Sequence, residues 1–150
     1  MKDNLPTIAE FTIALQVSWG PDTCFDAKEW SSDNPARGHC VASSLVTQDY
    51  FGGNLKRYHV TFKSDGHEET HYCNILSDGT ILDTTGMQYQ WPVLLEPRDV
   101  DLKGYASIRE KRLADEDTRK RYKLLADRVA TKLQEITYSR QTGRQDGIKT

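Results

Sequence analysis

The chain lacks any long apolar run. Its 150 residues have a mean hydropathy of −0.69, and no stretch approaches the roughly 18 consecutive apolar residues that suggest a membrane-spanning helix. The opening Met1-Lys2-Asp3-Asn4 has no apolar segment and no small-residue cleavage site. The expectation is therefore a protein without an ordinary export signal. Cysteine is scarce and odd in number: Cys24, Cys40 and Cys73, with no Cys-x-x-Cys pair. Such a count, without export, points to free thiols in a reducing cytoplasm. Internal repeats and low-complexity segments are also missing.

What is present suits one folded domain spanning residues 1–150. The hydrophobic set is 37% and the charged set 28%, a globular balance. A chain of this length buries enough surface to need neither disulfide nor metal for stability. Charge is uneven. Residues 1–97 hold 6 Lys/Arg against 13 Asp/Glu, whereas residues 98–150 hold 14 against 9. The basic end interleaves with acids as a solvated helix does, so nucleic acid is not the expected partner.

The pattern of elements predicts an α+β fold: a small antiparallel sheet of three or more strands, a central helix packed on it, and helices at either end. Residues 5–17 read as the first helix, with Ile8, Phe11 and Leu15 three and four apart and Pro6 in its first turn. Residues 18–39 are irregular and carry Trp19 and Trp30. A second helix is expected from Cys40 to about Tyr50, ended by Gly52-Gly53. Strands are expected at 57–63, 70–76 and 80–85, the last two flanking Ser77-Asp78-Gly79. Residues 87–105, with Pro92 and Pro97, read as loop. In the last helix Tyr122, Leu125, Val129, Leu133 and Ile136 form one apolar face. Asp115-Glu116-Asp117 complement its dipole, and residues 139–150 read as a frayed polar tail.

Chemistry concentrates on Cys40, His71 and Asp83. A thiol attacks as thiolate, and a helix start or a neighbouring imidazolium favours that form. Gly38-His39-Cys40 immediately precedes an apolar-periodic segment, which places Cys40 in the first helical turn beside unpaired backbone N–H groups. Whether His71 meets Asp83 depends on the hairpin register. A two-residue turn at Asp78-Gly79 puts the two on opposite faces, since a one-residue slip flips every side chain. A three-residue turn, with Gly79 left-handed, pairs Leu76 with Thr80 and Cys73 with Asp83. His71 then lies one diagonal step, about 7 Å, from Asp83. The second register is preferred, because Ser77 and Asp78 suit a type I turn and glycine suits the left-handed position. Asp83 would then orient His71, and His71 would serve Cys40 as base.

Asn34-Pro35-Ala36-Arg37-Gly38-His39-Cys40, followed by Val46-Thr47-Gln48-Asp49-Tyr50-Phe51-Gly52-Gly53, resembles the YunG-like family of small bacterial proteins. So do Trp19, Thr23-Cys24, Trp30, His71-Tyr72 with Asn74, Asp78-Gly79, Asp83-Thr84, Thr118-Arg119 and Arg121-Tyr122. The likeness covers most of residues 19–125. More loosely, a Cys at a helix start, a His on a strand and an Asp-Thr on the next strand are similar to papain-like and transglutaminase-like cores. That resemblance implies amide cleavage or exchange through a thioester. It also implies an oxyanion role for Asn34, six residues before Cys40. Cys73 stands where that likeness leads one to expect a tryptophan.

The expected function is therefore cysteine-dependent acyl transfer on a peptide, protein or small acyl substrate. Cys40, His71 and Asp83 are its catalytic residues, Asn34 a candidate oxyanion donor, and Trp30 and Cys73 candidates for substrate contact. No cofactor or metal is required. Two other readings stand beside it. One is a non-catalytic binding module that keeps the fold with an idle triad. The other is a zinc site built from His71, Cys73, Cys24 and Cys40. Cys24 is otherwise expected to be structural, Trp19 and Trp30 to anchor the loop, and His39 to be exposed.

Overall fold

The computed structural model describes residues 5–148. The elements in chain order are α1 (Ile8–Ser18), α2 (Cys40–Phe51), β1 (Asn54–Phe62), β2 (Glu68–Ile75), β3 (Ile81–Leu82), β4 (Val93–Pro97), α3 (Ile108–Leu113) and α4 (Glu116–Ile148). Short 3-10 turns occupy Ala27–Glu29 and Gly86–Gln88. The fold is α+β around a four-stranded antiparallel sheet of order β3-β2-β1-β4. Among the described residues no helix is long and apolar enough to cross a membrane.

α1 starts later than expected, because Thr7 caps it. The Thr7 hydroxyl accepts from the Glu10 N–H, and the Glu10 carboxylate accepts from the Thr7 N–H, each at 3.0 Å. This reciprocal pair satisfies two otherwise orphaned donors and leaves Pro6 outside the helix. Phe11, Ala14 and Leu15 then face a core shared with Ala42 and Val46 of α2 and Leu125 and Val129 of α4. Each of the larger of these side chains contributes about 1.5–3 kcal/mol by leaving water.

α2 is buried through six consecutive residues, Ala42 to Thr47. A helix buried on opposite sides must have partners on both. Ala42 and Val46 meet α1 and α4, while Leu45 meets Leu55 of β1 and Tyr72 of β2. The Asn74 side chain donates to the Ser44 carbonyl at 2.9 Å and pins this central helix to β2. Gly52, with φ of +71°, ends the helix in a conformation that other residues rarely adopt.

The hairpin takes the three-residue turn. Ile75 lies opposite Ile81, and Asn74 opposite Leu82. The Leu76 N–H donates to the Thr80 carbonyl at 2.8 Å, and Gly79 has φ of +88°. β3 is only two residues long, shorter than the expected strand over 80–85.

Three differences from the sequence reading have physical causes. The stretch 87–105 is not all loop: Val93–Pro97 pairs with β1 as an edge strand. Proline is tolerated on an edge, so Pro92 and Pro97 disguise the strand. The helix Ile108–Leu113 was not expected; the Ser107 hydroxyl, accepting from the Glu110 N–H at 3.1 Å, caps it. Finally, α4 runs to Ile148 rather than ending near 138. Of the tail expected to fray, 149–150 lie outside the described residues.

Candidate active site

Cys40 is the first residue of α2, and His39 caps the helix with its backbone alone. The first acceptor inside the helix, the His39 carbonyl, takes the Ser43 N–H at 2.9 Å. The N–H groups of Cys40, Val41 and Ala42 therefore have no intrahelical partner. All three residues line a cleft of about 480 Å³. Cys40 is half-buried there, whereas Cys24 and Cys73 are buried.

His71 is completely buried on β2. Its Nε2 lies 2.8 Å from Asp83 Oδ2. The other carboxylate oxygen, Oδ1, accepts from the Thr85 N–H at 3.3 Å. Gly86 lies so close that an added Cβ would stand 3.0 Å from Oδ2. Burial, the largest influence on the His71 pKa, pushes it down. Hydrogen bonding to Asp83 and Cys40, and the charges of both, more than offset this and raise it to about 9. The Cys40 thiol and the Asp83 carboxylate thus act on one imidazole. With Nε2–H donated to Asp83, Nδ1 is left for a second partner. The Gln88 amide nitrogen lies 3.3 Å from Nδ1. It is a donor to Nδ1 when the ring is neutral, and this contact must loosen when Nδ1 carries a proton.

Gln88 went unseen in the sequence. It is buried, lines the cleft beside Cys40, and follows Asp83 in an irregular segment with no diagnostic spacing. Asn34, by contrast, does not line the cleft. Its side-chain amide donates to the Gln88 backbone carbonyl at 2.9 Å, across 54 residues of sequence. The residue expected to meet the oxyanion instead holds the loop that carries Gln88.

A family model described as YunG protein matches residues 7–134, a span that contains every residue of this site. The chain belongs to the YunG family. A Bacillus subtilis (strain 168) relative, "Uncharacterized protein YunG", is 32% identical over 79 residues. The match covers 53% of this chain and 60% of that relative's length. No solved structure matches the chain.

Other expectations for this YunG-family chain meet different fates. His39 is not exposed but completely buried. It stacks on Trp19 at 5.4 Å between centroids, and its Nε2 lies 2.7 Å from Thr23 Oγ1. Burial lowers its pKa to about 4, so it lends no positive charge near neutral pH. Cys24 has a structural position, its sulfur 3.2 Å from both the Asp26 and the Arg37 carbonyl oxygens, which share its single S–H. Trp30 and Cys73 are absent from the cleft lining. Burial pushes the Cys73 thiol up to about 12. Among the described residues no three His, Cys, Asp or Glu side chains gather as metal ligands, so His71, Cys73, Cys24 and Cys40 do not form the zinc cluster considered from sequence.

Proposed function

We propose that this protein is a cysteine-dependent acyl-transfer enzyme acting on an amide or related acyl bond in a peptide, protein or small-molecule substrate. The observation that carries the reading is a buried imidazole 2.8 Å from a carboxylate, with Cys40, the one described thiol that faces a cleft, near enough to help raise its pKa. The division of labour is that of papain-like and transglutaminase-like cores. Cys40 is the nucleophile at a helix start, His71 the base on a strand, and Asp83 the orienting group just beyond the next strand.

In this reading the imidazole, whose pKa is raised to about 9, already holds the Cys40 proton at Nδ1, and the sulfur bonds to the acyl carbon as thiolate. The carbonyl oxygen takes up the negative charge and is met by the Cys40 N–H, with the Gln88 side-chain amide as second donor. Collapse of this intermediate breaks the C–N bond. The proton on His71 leaves with the amine, and an acyl thioester remains on Cys40. Water or a second amine then attacks the thioester, giving up its proton through His71 to the departing sulfur. Asp83 holds the ring through Nε2. The free thiols suit a reducing cytoplasm.

The test is an electrophilic thiol probe on the intact protein, followed by mapping of the labelled residue. Cys40 is expected to label first among the three cysteines, and His71→Ala to remove that preference. Slow, equal labelling of all three overturns the enzyme reading and leaves a non-catalytic binding module.

A further inference from the structure

The cleft beside Cys40 is lined by four arginines, Arg37, Arg57, Arg112 and Arg121, and by two glutamates, Glu29 and Glu69. Both glutamates are engaged by Arg37, Glu69 at 2.8 Å and Glu29 at 4.0 Å. Among the described residues no carboxylate comes within ion-pairing distance of Arg57, Arg112 or Arg121. Asp115 is near enough for Arg121 and Arg112 to help lower its pKa, but its Oδ2 accepts from the Thr118 N–H and hydroxyl. The Nε groups of Arg57 and Arg112 are buried and have no hydrogen-bond partner. Buried donors are normally satisfied. Here two are not, on half-buried arginines that line one cleft.

Two of the guanidinium groups stack on aromatic rings, and the third, Arg57, donates from Nη1 to the Asp99 carbonyl at 3.5 Å. Arg112 lies over the Tyr72 ring at 5.4 Å, and Arg121 over the Phe25 ring at 5.3 Å. Arg121 also donates to the Thr118 hydroxyl at 3.3 Å. They come from three separate elements, α3, α4 and β1, so ordinary spacing along one solvated helix does not explain their meeting. A guanidinium stacked on an aromatic ring keeps its in-plane N–H fork free for an oxyanion.

We propose that Arg57, Arg112 and Arg121 form an oxyanion-binding subsite, and that the acyl substrate of Cys40 carries a carboxylate or phosphate which this subsite holds. The word substrate rests on the enzyme reading above; the anion site itself does not. Such a subsite would fix the orientation of the acyl group and contribute binding energy remote from the bond that breaks.

The experiment is an NMR titration of the full-length protein with glutarate and, separately, with inorganic phosphate, at constant ionic strength set by sodium chloride. Saturable shifts are expected at residues of the cleft. The double variant Arg112→Gln/Arg121→Gln should weaken binding at least about tenfold, and Lys123→Gln, exposed on α4 outside the cleft, should leave it unchanged. Saturation by glutarate alone assigns a carboxylate, and by phosphate alone a phosphate. Saturation by both supports a general oxyanion site. No saturable response to either, or affinity indifferent to the arginine substitutions, overturns the proposal. Should the double variant not fold, Arg121→Gln alone serves, since Arg121 is only partly buried on α4. Anion binding that survives while Cys40 shows no selective labelling removes the enzyme reading but keeps the subsite. The converse result removes the subsite alone.

Discussion

His71 Nε2 and Asp83 Oδ2 stand 2.8 Å apart across a hairpin, and the three-residue turn Ser77-Asp78-Gly79 is what brings them together. Shortening the turn by one residue would send the imidazole to the opposite face. A positive φ at Gly79 thus underlies the His71–Asp83 pairing several residues away. The buried ring carries a raised pKa, and that couples the site to the stability of the whole protein.

That coupling has a definite sign. The folded His71 pKa of about 9 lies above the ordinary 6.5, so folding favours the protonated ring. Its contribution is fully present below pH 6.5 and is lost as pH rises through about 9. Denaturant midpoints measured from pH 6 to 10 should therefore fall across this window. Asp83→Asn should flatten the decline and cost about 1–3 kcal/mol near neutral pH, the worth of a hydrogen bond to a charged group. An Asp83→Asn protein with the wild-type pH profile would show that the pair does not set this dependence.

His39 works in the opposite direction. Its folded pKa of about 4 lies below the ordinary value because burial disfavours the charged ring. Stability from its neutral form is intact above pH 6.5 and falls as pH drops from 6.5 towards 4. Together the two histidines predict a maximum of stability near pH 6.5, with His39→Gln removing part of the acid limb and leaving the alkaline limb untouched. Midpoints of the two variants over both limbs check this assignment.

The elements legible in the sequence were those with an internal period or a turn that admits few residues. Leu125 and Val129 of α4 announced their face by helical spacing, and Gly79 announced the register of the hairpin. β4 was illegible because Pro92 and Pro97 obscure an edge strand whose Leu94 and Leu95 are exposed. At the site, Cys40, His71 and Asp83 were readable because each sits on or beside a regular element. Gln88 and the three unpaired arginines were not. They converge through tertiary packing of separate elements, and no spacing along the chain encodes that meeting. The burial of His39 is hidden for the same reason: a polar residue beside a cleft looks exposed until Trp19 and Thr23 close over it.

The central core can be tested apart from the site. Leu125 is fully buried between α1 and α2. Leu125→Ala should cost about 2–5 kcal/mol, the range for deleting buried methyl groups and leaving a cavity. Chemical denaturation measures it directly. A loss below about 1 kcal/mol would mean that α4 packs less tightly on α1 and α2 than described.

Gly38, two residues before Cys40, offers a way to disturb the Cys40 thiol without touching it. Its φ is +80°, and an added Cβ would stand 2.5 Å from Cys24 Sγ. The same sulfur lies 3.2 Å from both the Asp26 and the Arg37 carbonyl oxygens, so it cannot retreat without loosening the loop that leads into α2. Gly38→Ala should therefore cost about 1–3 kcal/mol through backbone strain and steric conflict. Because α2 begins at Cys40, the displacement should also lower the selectivity of thiol labelling. The double variant Gly38→Ala/Cys24→Ala removes the blocking sulfur but keeps the strained φ. Any recovery relative to the summed single variants, read by denaturation and by Cys40 labelling, measures the steric part; purely additive losses would place the whole effect in the backbone.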